Sequence, residues 1–105
     1  GLQVNGSTSN IMDSSPLEEK FKSFGWSVRT IDGHEINEIY NALKDIPLCK
    51  GKPTCIVADT TKCKGLDFAE NKFEYHHWHC QADKINDAIN VVKDARKRAF
   101  EKAGI

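Results

Sequence analysis

Residues 76 to 80, His-His-Trp-His-Cys, hold three of the chain's four histidines and one of its four cysteines. Imidazole nitrogens and a thiolate are zinc donors, and a thiolate beside an imidazolium is an activated nucleophile. The spacing suits neither chemistry well. Structural zinc sites draw two pairs of ligands from separate segments, whereas His76, His77, His79 and Cys80 crowd into one. In a strand His77 and His79 share a face, and in a helix His76 and Cys80 do, so neither conformation aims all four at one ion. Cys49 or Cys63 would have to complete such a set, and nothing in the spacing demands it. No local signature marks Cys63 or Cys80 as a nucleophile, and His77 and His79 read equally as half-exposed polar neighbours of a packing Trp78.

The elements that would position this cluster follow from periodicity. Leu2 and Val4 alternate with polar residues and close on Asn5-Gly6, the end of a strand entering a turn, with a polar loop "STSNIMDSS" behind it. "SPLE", Ser15 to Glu18, has capping-box spacing with Pro16 at the first helical position. It predicts a helix over 16–24 with Leu17, Phe21 and Phe24 on one face and Gly25 as its stop. "WSVRTID" alternates as a strand ending at Gly33. "HEINEIYNALKDI" places Ile36, Ile39, Tyr40, Leu43 and Ile46 at helical spacing against a sheet, and "PTCIVADT" is apolar enough at its centre for a strand covered on both faces. Asp32 and His34 flank the helix start and read as its cap rather than as substrate contacts. Residues 61–81 have no sustained period, and a loop that long is functional or disordered. Lys62 and Lys64 read as solvated. A last helix over about 82–103 turns Ile85, Ala88, Ile89 and Val92 inward.

Strand, helix, strand, helix, strand in alternation predicts an α/β fold, a parallel sheet layered with helices. The first strand begins at Leu2 with almost nothing before it. The expectation is therefore an incomplete sheet whose open edge a missing segment or a partner chain covers.

Composition narrows the partners. Fifteen basic residues balance fifteen acidic ones, so no overall field favours nucleic acid or an anionic membrane. No apolar run approaches the roughly 20 residues of a membrane span, and "GLQVNGSTSN" is unlike a signal peptide. A cytoplasmic protein with free thiols is expected.

Three ordered stretches resemble the diphosphate-binding domain of transketolases, over residues 1 to about 83. "GLQVNGST" is similar to the segment after that family's magnesium-binding asparagine. "EKFKSFGWSVRTIDGHEINEIYNAL" resembles the helix and strand that follow, with the aromatic-Gly-Trp and Asp-Gly-His phrases. "GKPTCIVADTTKCKGLDFAENKFEYHH" resembles the Gly-Lys-Pro-Thr strand, the Lys-Gly-Lys-Gly turn, and the Glu-Asn loop ending on an aromatic-His pair. The likeness is closest to split transketolases, whose N-terminal half is a separate subunit. Cys63 stands where the family has glycine, so the turn asks for a positive φ that cysteine tolerates poorly, and Asp67 replaces a small hydroxyl residue.

The resemblance implies a partial three-layer parallel sheet with flanking helices, as in the thiamin diphosphate-binding fold. Residues 1–105 would be the C-terminal part of that domain. It implies transfer of a two-carbon ketol unit between sugar phosphates, with thiamine diphosphate and Mg2+ as cofactors. His76 matches the histidine that reaches the diphosphate and the reacting substrate, Val4 an apolar residue packed on the cofactor, and Leu2 the residue whose backbone carbonyl ligates magnesium. The family's Gly-Asp-Gly and its metal-binding asparagine are expected before Gly1. The glutamate that activates the cofactor belongs to the pyrimidine-binding domain or subunit, so an oligomer is implied and the isolated chain is expected to be inactive. Two other readings remain open: a related enzyme such as 1-deoxyxylulose-5-phosphate synthase, and a non-catalytic interaction module of the same fold. A small metal-binding protein is a third.

Overall fold

The computed structural model describes residues 1–77 and 82–104. The element order is β1 (Leu2–Gln3), β2 (Gly6–Ser7), α1 (Thr8–Ile11), α2 (Leu17–Ser23), β3 (Ser27–Asp32), α3 (Ile36–Lys44), β4 (Thr54–Asp59), a 3-10 helix (Phe73–His77) and α4 (Ala82–Ala103). Two compact units divide it, Gly1 with Gly6–Thr60 and Leu2–Asn5 with Thr61–Ile105.

The first unit is a β-α-β element. β3 and β4 run parallel and in step, from Ser27 opposite Thr54 to Asp32 opposite Asp59. A parallel pair needs a crossover, and α3 supplies it. Thr30 Oγ1 donates to Glu18 Oε2 of α2 at 3.0 Å, while the preceding residue, Arg29, bonds Asp45 at the end of α3 at 2.9 Å. Successive strand side chains point to opposite faces, so α2 and α3 lie on opposite faces of the sheet. Ile31 and Ala42 are buried between these layers.

Gly33 is required where the chain leaves β3. Its N–H donates to the Asp59 carbonyl at 2.7 Å, and a Cβ there would collide with Thr60 Cγ2 and stand 2.9 Å from the Asp59 oxygen. Only glycine lets the two strand ends come this close.

Several expectations are corrected here. Among the described residues the parallel sheet has two strands, and β1, two residues long, is not in it. β4 is therefore half-buried rather than covered on both faces. A sheet this narrow cannot cover the whole apolar stripe of α3. Ile39 and Ala42 turn inward, but Ile36, Tyr40 and Leu43 are exposed. Phe24 is likewise exposed, while Phe21 packs edge-on against Trp26 with ring centres 5.5 Å apart. Gly25, at φ 82°, ends α2 in the left-handed conformation that glycine adopts freely.

The capping box does not form. Ser15 gives both its N–H and its hydroxyl to Asp13 Oδ1, at 2.9 and 2.6 Å, and Glu18 turns to Lys22 and Thr30, so Pro16 becomes the N-cap without a side-chain bond. The stretch expected as a loop after Gly6 instead winds one turn of helix, α1. Its first residue, Thr8, bonds the Gly1 carbonyl through both N–H and hydroxyl.

In the second unit α4 covers 22 residues. Its apolar face is less buried than its spacing predicts: Ile85, Ile89 and Val92 are all exposed. No helix among the described residues is long and apolar enough to cross a membrane.

Candidate functional site

Residues 61–77 are built from local hydrogen bonds rather than from a periodic element. Lys64, Leu66, Ala69 and Glu70 close successive turns through backbone bonds to Thr61, Cys63 and Leu66, and the Asn71 N–H returns to the Lys62 carbonyl at 2.9 Å. Glu70 binds Lys64 Nζ at 3.1 Å and the Gly65 N–H at 2.9 Å with its two oxygens. Ala69 is buried at the centre. Cys63 (φ 54°) and Asn71 (φ 56°) are both left-handed. The strain expected at Cys63 is thus present, while asparagine adopts this conformation more readily.

The loop leads into the 3-10 helix. Phe68 packs edge-on against Tyr75 at 5.9 Å, and Lys84 Nζ of α4 lies 5.0 Å over the Phe68 ring. His76 and His77 stand exposed side by side, with ring centres 4.7 Å apart. His79 and Cys80, the rest of the expected cluster, lie outside the described residues, as does Trp78. Cys49, Cys55 and Cys63 are free thiols.

β1 belongs to this unit and packs against the 3-10 helix. The structure thereby brings the strand of Leu2 to the helix of His76, although the two lie at opposite ends of the matched sequence. Leu2 is half-buried, and Val4, just past the strand, is exposed. Between them the Gln3 Nε2 is buried with no hydrogen-bond acceptor among the described residues. An unmet amide donor costs about 1–3 kcal/mol, so an acceptor oxygen from a ligand suits this position. Sequence reading missed Gln3, since a glutamine in a short strand carries no chemical signal by itself.

Asp32 does not cap α3 as expected: the N-cap is Glu35, which has no side-chain cap bond, and Asp32 instead fastens the turn that precedes the helix. Its Oδ1 accepts the His34 N–H at 2.8 Å, and its own N–H donates to Glu38 Oε2 at 2.8 Å. A separate open cleft of about 480 Å³ in the first unit is bordered by Asp13, Glu18 and Asp59. Three carboxylates there oppose a polyanion such as a diphosphate.

A family model described as the thiamine diphosphate binding domain of transketolase matches residues 1–94. The chain belongs to the transketolase family. Within it, the chain is 41% identical over 76 residues to the 6-deoxy-6-sulfo-D-fructose transketolase subunit of a Clostridium species, covering 72% of this chain and 28% of that protein. It is 34% identical over 93 residues to an apulose-4-phosphate transketolase subunit from Actinobacillus succinogenes, covering 89% and 33%. Over 72 residues it is 34% identical to transketolase-like protein 2 of Homo sapiens, covering 69% and 12%. The chain thus spans at most a third of the length of these relatives. The buried amide donor of Gln3, unmet among the described residues, suits a phosphate oxygen of the diphosphate for which the family's domain is described.

Proposed function

We propose that residues 1–105 contribute part of the diphosphate side of a thiamine diphosphate-dependent transketolase, which moves a two-carbon ketol unit between sugar phosphates. The observation that carries this reading is the packing of β1 against the 3-10 helix in a chain of this family. The names of two relatives include the word subunit, which supports a partner subunit bearing the pyrimidine side. On this reading the 105 residues are inactive by themselves, because the cofactor sits between two domains.

Each residue has a distinct task. The Leu2 carbonyl offers an oxygen to Mg2+, a hard cation that takes oxygen ligands in octahedral array. Val4, exposed as it is, covers an apolar part of the cofactor. His76 donates to a diphosphate oxygen and moves a proton at a sugar hydroxyl, which a Lys or Phe could not do equally. When bound, thiamine diphosphate supplies the nucleophilic thiazolium carbon, leaving the protein to orient and to stabilise charge.

The test is His76→Ala in the complete enzyme. Turnover should fall at least about tenfold, equivalent to about 1.4 kcal/mol of barrier. Near-normal kinetics would remove His76 from the site.

A further inference from the structure

We draw no further inference here: the strongest candidate, the edge of β4 (Thr54–Asp59) left unpaired among the described residues beside the parallel β3, carries nothing, since nothing in the structure shows what covers it.

Discussion

Glu70 and Gly65 are joined by a 2.9 Å hydrogen bond from the glycine N–H to Oε2, while the other carboxylate oxygen holds Lys64. One half-buried side chain thereby fastens a turn in which Cys63 and Gly65 both have positive φ. Glu70→Ala should lower stability by about 1.5–3 kcal/mol, the range for a hydrogen bond to a charged group, and Glu70→Gln should restore part of it by keeping an acceptor for Gly65. Urea unfolding of the three proteins measures this. If Glu70→Ala changes stability by less than about 0.5 kcal/mol, the turn is held by something else.

Cys63 stores strain that glycine would release. A left-handed non-glycine residue costs about 1–2 kcal/mol, and glycine gives back about 0.5–1 kcal/mol through chain entropy. Cys63→Gly should therefore raise stability by up to about 1 kcal/mol, and Cys63→Val should lower it. A thermal melt in which both variants fall below the parent would contradict the left-handed assignment.

At Gly33 the opposite holds, since the space for a methyl group is missing. Gly33→Ala should cost about 1–3 kcal/mol through overpacking against Thr60 and the Asp59 carbonyl. A variant as stable as the parent would mean that the ends of β3 and β4 separate easily.

Acid and alkali should act on α2 in different ways. Hydrogen bonds from Lys22 and then Thr30 hold the Glu18 carboxyl below its ordinary value of 4.5. That stabilisation is complete above pH 4.5 and is lost as pH falls through the lowered value. Bonding to Glu18 and then Glu19 raises the Lys22 ammonium above 10.5, so its contribution is complete below pH 10.5 and is lost as pH rises through the raised value. Both groups are solvent-exposed, so the effect is small. Glu18→Gln should flatten the acid limb of a melting-temperature profile, and an unchanged limb would assign it to other carboxylates.

The parts of the fold legible in the sequence were those with a period. Alternation across residues 26–32 and the apolar run from Pro53 marked β3 and β4, and the spacing of Ile36, Ile39 and Leu43 marked α3. Burial was less legible, because whether Ile36 or Val92 is covered depends on the width of the surface beneath it. Local competition defeated the capping box, since Asp13 captures Ser15 through a contact that no box pattern contains. The site divides in the same way. His76, Leu2 and Val4 came from resemblance, whereas the packing of β1 on the 3-10 helix is a tertiary fact. Glu70 and Gln3 matter through which atoms they face, and spacing does not report that.

Arg29 and Thr30 carry a further consequence for assembly. Each ties a different helix to the same strand, one on either face. Sliding β3 by one residue exchanges its two faces, so Arg29 would face the helix that Thr30 now holds, and both ties would break together. Two adjacent residues thereby link the register of one strand to the placement of both helices, so a one-residue slip loses both contacts at once.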